Sequence, residues 1–243
     1  MQNKYVGDIG DFGKYGLLRA LCGFREDCSG EKLSLGVVWY LNPDDSGVGG
    51  SRLDYLLNPA RFRLCDPALF HALFWIVLTN HREVACVAES DIFPADNTIF
   101  FPDPVPTGRR RREDWLNVAL AQTSGCEVVF FDPDIGLKDG DLPKPGLSSK
   151  YIYSAELGPF AARGQSLIVY HSLNMQQSHE RQIRAVAGSL SKGLDNTRIW
   201  ALRWGSVAPR VYFIIPNGRE TVLRPRLEAM RYGLWGEHFE RVV

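Results

Sequence analysis

The chain has 243 residues, of which 45% are hydrophobic and 12% aromatic, and its 28 lysines and arginines are balanced by 28 aspartates and glutamates. This composition excludes a disordered chain, because it provides enough apolar surface to build a core. The zero net charge excludes a strong overall positive field of the kind that attracts nucleic acids or anionic membranes. A local basic surface remains compatible with it.

No stretch of the sequence approaches the ~20 apolar residues that a membrane span requires, and the early acids Asp8 and Asp11 are unlike a secretory signal. The five cysteines are scattered, without a CxxC pair, at Cys22, Cys28, Cys65, Cys86 and Cys126. Such spacing indicates reduced thiols, so we expect a cytoplasmic protein that does not bind membranes.

Short apolar runs alternate with longer helical patterns along the chain. In order, they predict a helix at 11–24, a strand at 35–41, a helix at 67–80, strands at 84–88 and 98–101, a helix at 109–123, a strand at 127–131, a helix at 149–162, a strand at 166–170, a helix at 176–192, strands at 198–203 and 210–215, and a helix at 221–232. Most strand candidates are continuously apolar, which is typical of strands covered on both faces of a parallel sheet.

The last two strand candidates are joined by a segment too short for a crossover helix, so we expect an antiparallel hairpin over 198–215. The sequence therefore predicts a single α/β domain over 1–243. Its sheet is expected to be open, doubly wound and mainly parallel, and to be closed by this C-terminal hairpin. A helical insertion is expected near 52–80.

Open α/β sheets bind ligands at the carboxyl ends of their strands. The segment 42–50 (NPDDSGVGG) follows the first predicted strand, and its candidate ligand-binding residues are Asn42, Asp44, Gly47 and Gly49. Glycines let the backbone approach a ligand, and acids without a lysine suit a cationic or hydroxyl-rich ligand better than a phosphate. An ordinary glycine-rich turn is the alternative interpretation.

Glu89 follows the run 84–88 and, at a strand end, would accept hydrogen bonds from both hydroxyls of a ribose. A solvated carboxylate without a ligand is the alternative. His171 follows the run 166–170, so it is a candidate substrate contact.

The most informative segment is Asp132-Pro133-Asp134, directly after the buried run 127–131. A proline-fixed turn holds the carboxylate rigidly at the ligand-binding edge. Such a carboxylate either orients an amine for methylation, or binds Mg²⁺ with its neighbour and attacks a phosphoryl group. A plain strand-to-loop turn is the third interpretation.

Several segments resemble, in order along nearly the whole chain, the large-subunit ribosomal RNA adenine methyltransferase family. Residues 7–15 (GDIGDFGKY) are similar to its GNxADVLKH element, 41–49 to its LDTHAGAG turn, and 65–71 to its GSPLIAR segment. Its DPPY motif falls on 132–135 (DPDI) and its terminal hairpin on 198–215. Partner proteins of the three-Cys-motif group share a similar layout.

The resemblance implies a Rossmann-like class I methyltransferase fold that binds S-adenosylmethionine and methylates an amine, with RNA or DNA as the partner. It implies that Asp132 holds the target amine, with Pro133 and Asp134 beside it. The residues it places around the cofactor are Lys14, Tyr15, Asp44, Asp66, Glu89 and Asp103. The chain departs from DPPY at Asp134 and Ile135, where the family has a proline and an aromatic residue that stacks on the flipped base.

Two alternatives stay open: a methyltransferase-like binding protein without catalysis, and a Mg²⁺-dependent phosphohydrolase that uses Asp132 and Asp134. Arg109 and Arg110 begin a run of four arginines that would either clamp a phosphate or form a solvated helix face. Residues 87–145 hold eleven acids against six bases, whereas 198–231 hold seven arginines against two acids. We therefore expect an acidic ligand crevice and a basic C-terminal surface that meets a polyanion.

Overall fold

The computed structural model describes residues 1–28, 30–47, 52–140, 149–195, 197–205 and 209–242, and all structural statements refer to them. The helices are α1 (Ile9–Cys22), α2 (Pro59–Phe62), α3 (Pro67–Leu78), α4 (Val84–Glu89), α5 (Arg109–Gln122), α6 (Ser154–Ala162), α7 (His179–Gly193) and α8 (Glu220–Tyr232). Short 3-10 helices span Asn3–Tyr5, Asp54–Leu57, Arg63–Cys65 and Leu234–Glu237.

The strands are β1 (Leu35–Val38), β2 (Thr98–Phe101), β3 (Val128–Phe131), β4 (Gly136–Lys138), β5 (Tyr151–Tyr153), β6 (Ser166–Ser172), β7 (Trp200–Trp204), β8 (Arg210–Ile215) and β9 (Phe239–Arg241). Seven of them form one mixed sheet in the order β2-β1-β3-β6-β8-β7-β9, and β4 and β5 form a separate parallel pair. The neighbours β2, β1, β3 and β6 are parallel. This confirms an α/β fold with a mostly parallel sheet.

The far end of the sheet is antiparallel. β8 runs antiparallel to both β6 and β7, and β9 adds a further antiparallel strand outside β7. Residues 206–208, between β7 and β8, lie outside the described residues. The edge strand β9 has no counterpart among the predicted strands, because its three residues are too few to show a period.

Successive residues of the central strands alternate between two hydrophobic clusters, as the pleat of a strand requires. Val37 and Phe130 belong to the cluster that α1, α3 and α8 cover, whereas Val38 and Phe131 belong to the cluster that α5, α6 and α7 cover. The sheet is thus the middle of three layers. Because β2 and β3 lie on opposite sides of β1, the connections diverge there, and such a point opens a ligand crevice at the carboxyl edge.

Two predicted elements are wrong. The run 84–88 forms α4 and not a strand: Val84 and Val87 are buried while Ala85 is exposed, a helical spacing that a short apolar run does not distinguish from a strand. The predicted helix 149–162 begins only at Ser154, after β5. The Glu156 side chain accepts a hydrogen bond from the Tyr153 backbone nitrogen at 2.9 Å and so caps α6 at this point.

No helix in the described part of the chain is both long enough and apolar enough to cross a membrane.

Candidate functional site

A cavity of about 260 Å³ lies at the carboxyl edge of the sheet. Its walls are the N-terminal segment, the first turns of α1, the residues after β3, the end of β6 and the start of β8. β8 contributes its first residues because it is antiparallel to β6. The cavity therefore occupies the edge at which open α/β sheets bind ligands.

Lys14 lies in the lining of this cavity between two carboxylates. Its Nζ atom is 2.6 Å from Oδ1 of Asp11 and 2.6 Å from Oδ2 of Asp132, and none of the three side chains is more than 5% exposed. Burial raises the pKa of both carboxyls, against the opposing effect of the lysine. Burial alone would lower the pKa of Lys14, but the two carboxylates outweigh it and raise that pKa. Lys14 is thus a cation held by two buried anions.

The start of α1 builds this arrangement. Asp8 is the N-cap, and its Oδ1 accepts hydrogen bonds from the backbone nitrogens of Gly10 and Asp11 at 2.8 and 3.0 Å. Asp11 and Lys14 are three residues apart and so share one face of the helix. Oδ2 of Asp11 accepts from the Tyr15 hydroxyl at 3.0 Å, one turn further on. Tyr15 and Lys14 are therefore both engaged within the protein.

Asp132 is fixed by the sheet and by Pro133. Its backbone nitrogen donates to the carbonyl of Val38 at 3.0 Å, so the residue continues the β1–β3 pairing beyond the strand end. Lys14 binds only its Oδ2. Oδ1 accepts no hydrogen bond from any residue that the structure describes, and Asp132 lines the cavity. One oxygen of a rigidly held carboxylate is thus available to a ligand.

Asp134 is held by the N-terminal segment and by Lys150. It accepts a hydrogen bond from Nε2 of Gln2, and its carboxylate is 3.5 Å from Nζ of Lys150 and 3.6 Å from the amino group of Met1. Its side chain is 5% exposed. These contacts make Asp134 a structural anchor of the loop after β3.

The opposite wall carries Tyr170, Arg210 and Tyr212. Tyr170 and Tyr212 are register partners in β6 and β8 with ring centroids 6.1 Å apart, and the Arg210 guanidinium is 5.9 Å from the Tyr170 ring. Burial raises the pKa of both tyrosines, so their hydroxyls stay protonated. The Tyr212 hydroxyl is buried and has no hydrogen-bond partner among the described residues.

Sequence reasoning missed this wall, although a signal was present. Tyr170 lies near the end of one predicted strand, and Arg210 begins the antiparallel strand that pairs with it. An antiparallel neighbour brings its first residues to the edge where a parallel strand ends. Applying this rule to 210–215 would have predicted the position of Arg210.

His171 does not line the cavity, although it was a predicted substrate contact. Its neighbours Tyr170 and Ser172 face the cavity, so the alternation of β6 directs His171 to the other face, where its ring centroid is 5.9 Å from that of Phe213. Its Nδ1 accepts a hydrogen bond from the Leu137 nitrogen at 3.0 Å. Burial lowers the pKa of His171 to about 4. The ring is a neutral support for β4.

The residues predicted to bind the cofactor after β1 lie at the carboxyl edge. Asn42 is buried, and its Nδ2 donates to the carbonyl oxygens of Tyr40 and Ser149 at 2.9 and 3.3 Å. Asp44 and Gly47 are exposed, and both bind Lys4, at its backbone nitrogen and at its Nζ respectively. Gly49 lies outside the described residues.

The other three acids that were predicted to bind the cofactor are not brought together. Asp103 follows β2 and is exposed beside the segment after β1, since Leu41 pairs with Pro104. Asp66 caps α3 and binds Arg19 at 2.7 Å. Arg19 is in the last turn of α1, about 16 Å along that helix from its N-cap Asp8. Glu89 is exposed at the end of α4, not at a strand end.

The arginine run does not form one continuous surface. Arg109 and Arg110 are exposed in the first turn of α5, and Arg109 pairs with Glu113 at 3.1 Å. Arg112 is buried and makes a two-pronged ion pair with Glu156 at 2.6 and 2.9 Å. None of these arginines lines the cavity.

Within the described ranges, no three histidine, cysteine or acidic side chains are grouped so that they could hold a metal ion. Nothing there favours the Mg²⁺-dependent alternative. Comparisons with protein-family models, with curated proteins and with solved structures find no match to this chain.

Proposed function

We propose that this protein is an S-adenosylmethionine-dependent methyltransferase that acts on an amine nitrogen. The observation that carries the proposal is Asp132, which directly follows β3 and lines the cavity. Lys14 binds one of its carboxylate oxygens, and the other accepts no hydrogen bond from the described residues. An acceptor of this kind orients the lone pair of an amine toward a methyl donor. The antiparallel pair β7–β8 beside parallel strands is the arrangement that the sequence resemblance implies.

The carboxylate acts through position. Oδ1 accepts a hydrogen bond from the substrate amine, while Lys14 holds Oδ2 and opposes the rise in the pKa of Asp132 that burial causes. The buried surroundings exclude water from the reacting nitrogen. An ammonium substrate first passes one proton to Oδ1, and the lone pair that this frees on the nitrogen then takes up the methyl group.

The residues at the carboxyl ends of β1 and β2 fit a nucleoside cofactor. Asp44 and Asp103 are exposed carboxylates on neighbouring chain segments, and carboxylates suit both ribose hydroxyls and a sulfonium. When bound, S-adenosylmethionine supplies the electrophilic methyl group. Asp66 and Glu89 do not belong to these two segments: Asp66 caps α3 and binds Arg19, and Glu89 ends α4.

One observation favours a second candidate, a methyltransferase-like binding protein without catalysis. The chain has Asp134 where the DPPY motif has its second proline, and Ile135 where the motif has its aromatic residue. The Asp134 carboxylate is bound by Gln2 and Lys150. No aromatic side chain of the motif is therefore available to stack on a base.

Calorimetry with S-adenosylhomocysteine tests the proposal. We expect micromolar binding to the unaltered protein and about tenfold weaker binding to the Asp103→Asn variant, because one charged hydrogen-bond acceptor is lost. Glu89→Gln is the matched control and should bind as the unaltered protein does. Absence of binding at high protein concentration would refute the proposal.

Transfer is measured with methyl-labelled S-adenosylmethionine against small amines, RNA and DNA, the last two because the resemblance implies a nucleic-acid base. The Asp132→Asn variant should retain cofactor binding and lose transfer. Cofactor binding by the unaltered protein without transfer to any acceptor would favour the non-catalytic candidate.

A further inference from the structure

The cavity beside Asp132 has two chemically opposite walls. On the side of β3, Oδ1 of Asp132 is a hydrogen-bond acceptor to which none of the described residues donates. On the side of β6 and β8, Arg210 and the Tyr212 hydroxyl are hydrogen-bond donors. A ligand that satisfies both walls carries a donor at one end and an anionic or acceptor group at the other.

The Tyr212 hydroxyl is the strongest evidence that the wall formed by β6 and β8 binds a ligand. Tyr212 is 0% exposed, and its hydroxyl has no hydrogen-bond partner among the described residues, although the residue lines the cavity. Buried hydroxyls in proteins are nearly always paired, so an unpaired one beside a cavity indicates a ligand atom. The raised pKa of this tyrosine keeps the hydroxyl a donor.

Arg210 adds positive charge to the same wall. Its guanidinium lies against Gly10, where a Cβ atom would overlap it, and beside the Tyr170 ring. An arginine remains charged under all ordinary conditions. The wall therefore favours an anionic group over a neutral acceptor such as a ring nitrogen.

The volume limits the size of the ligand. Cavities that enclose drug-sized molecules measure roughly 300–1,000 Å³, and this one is about 260 Å³. A molecule of a few carbon atoms therefore fits such a space entirely.

We propose that the cavity binds a small zwitterion, with its amine against Oδ1 of Asp132 and its carboxylate against the Tyr212 hydroxyl and Arg210. This inference rests on the proposed function in one respect, since it makes the zwitterion the methyl acceptor. In the transfer, the ammonium first gives a proton to the Asp132 carboxylate. The nitrogen lone pair then forms the N–C bond, and the electrons of the broken S–C bond stay on sulfur.

Calorimetry without cofactor tests the binding directly. The probes are glycine, β-alanine and γ-aminobutyric acid, with ethylamine and propionate as molecules that carry only one of the two charged groups. We expect at least one zwitterion to bind about tenfold or more tightly than either half-molecule, because only the zwitterion engages both walls.

The Tyr212→Phe variant isolates the hydroxyl. It should weaken zwitterion binding about tenfold and leave the melting temperature unchanged or higher, because the hydroxyl has no hydrogen-bond partner in the part of the chain that the structure describes. Tyr153→Phe is the matched control: the Tyr153 hydroxyl is also buried and has no hydrogen-bond partner among the described residues, but the residue does not line the cavity. It should not affect binding.

Three outcomes overturn the inference. The first is that no zwitterion binds at about 10 mM while S-adenosylhomocysteine still binds, which leaves the proposed function standing. The second is that S-adenosylhomocysteine competes with the zwitterion and that Tyr212→Phe weakens the binding of both molecules equally. This would assign the cavity to the amino-acid end of the cofactor. The third is that RNA or DNA is methylated equally well by the Tyr212→Phe variant.

Discussion

At the scale of single residues, the ion pair between Lys14 and Asp132 joins positions 118 apart in the chain. Its stabilising effect depends on burial, since removing one partner of a buried pair leaves an uncompensated charge. We expect Lys14→Met to lower the free energy of unfolding by about 3–5 kcal/mol. Urea denaturation followed by circular dichroism measures this.

The double variant Lys14→Met with Asp132→Asn provides the control. Asparagine carries no charge, so this second change should recover part of the stability that the first removes. A loss below about 1 kcal/mol in the single variant would mean that water reaches the carboxylates and that the pair behaves as a surface ion pair.

The sequence patterns predicted which residues lie at the centre of the site but not which of their side chains contact one another. The motif at 132–134 and the segment at 7–15 pointed to Asp132 and Lys14, and both line the cavity. The sequence assigned Lys14 to the cofactor, because a pattern of residue types carries no information on which side chains meet. The unpaired Tyr212 hydroxyl was invisible for the same reason: hydrogen-bond satisfaction is a property of the folded neighbourhood.

At the scale of elements, three glycines at three-residue spacing define one face of α1. Cβ atoms at Gly10, Gly13 and Gly16 would collide with Arg210, Trp204 and Trp235 respectively. The bare backbone lets these large side chains lie directly against the helix. Gly10 and Gly13 lie within the segment 7–15, at positions where the GNxADVLKH element that it resembles has alanine and leucine, and the close approach of Arg210 and Trp204 explains why glycine stands there in this chain.

Substitution of the last of these glycines tests the close packing. In Gly16→Ala, the new Cβ would lie 2.2 Å from Cη2 of Trp235, a buried ring with little room to shift, so we expect a loss of about 1–3 kcal/mol in the free energy of unfolding. Gly188→Ala in α7 is the matched control, with no atom within 4 Å. It should stabilise the protein by about 0.5–1 kcal/mol. Equal effects of the two substitutions would contradict the packing argument.

His171 fastens β4 to β6 and makes this attachment sensitive to pH. Its pKa is about 4 in the fold against 6.5 in the unfolded chain, so between these values the unfolded chain binds the extra proton. The free energy of unfolding should therefore fall as the pH drops from 6.5 toward 4, by up to roughly 3 kcal/mol from this residue.

The His171→Asn variant isolates this effect. Its amide oxygen can still accept the hydrogen bond from the Leu137 nitrogen, but it does not titrate. Urea unfolding at pH 7 and pH 4.5 should show a smaller decrease for the variant than for the unaltered protein. Parallel decreases would show that His171 is solvated in the fold.

Predictability at this scale depended on burial more than on length. The apolar runs that form β3, β6 and β8 were predicted nearly at their observed bounds, and their residues are buried in succession, as in a strand that is covered on both faces. The run 84–88 is as long as the runs 127–131 and 166–170, so its length did not mark it as a helix. Its packing against the N-terminal segment, where the Val84 nitrogen donates to Asn3, is a tertiary contact that the sequence pattern does not show.

At the scale of the whole molecule, the net charge is zero but the charged residues are unevenly distributed along the chain. Acids predominate in the middle of the sequence, and arginines predominate in the C-terminal part. The structure engages most of the C-terminal arginines internally. Arg203 pairs with Glu240, and Arg226 donates to the carbonyl oxygens of Leu21 and Glu31. Cations engaged in this way are poorly available to a phosphate backbone.

We therefore expect weak binding of double-stranded DNA, with a dissociation constant of about 100 µM or more near physiological salt and a shallow dependence on salt. Fluorescence anisotropy of a labelled duplex at 50 and 200 mM salt measures both quantities.

Glu228→Gln is the informative variant, because Glu228 binds Arg231 at 2.8 Å and Arg241 at 3.0 Å. This substitution removes a negative charge beside two neighbouring arginines, so it should raise the affinity for DNA measurably. A steep salt dependence in the unaltered protein would reveal a basic surface elsewhere and would favour a nucleic acid over a small zwitterion as the methyl acceptor.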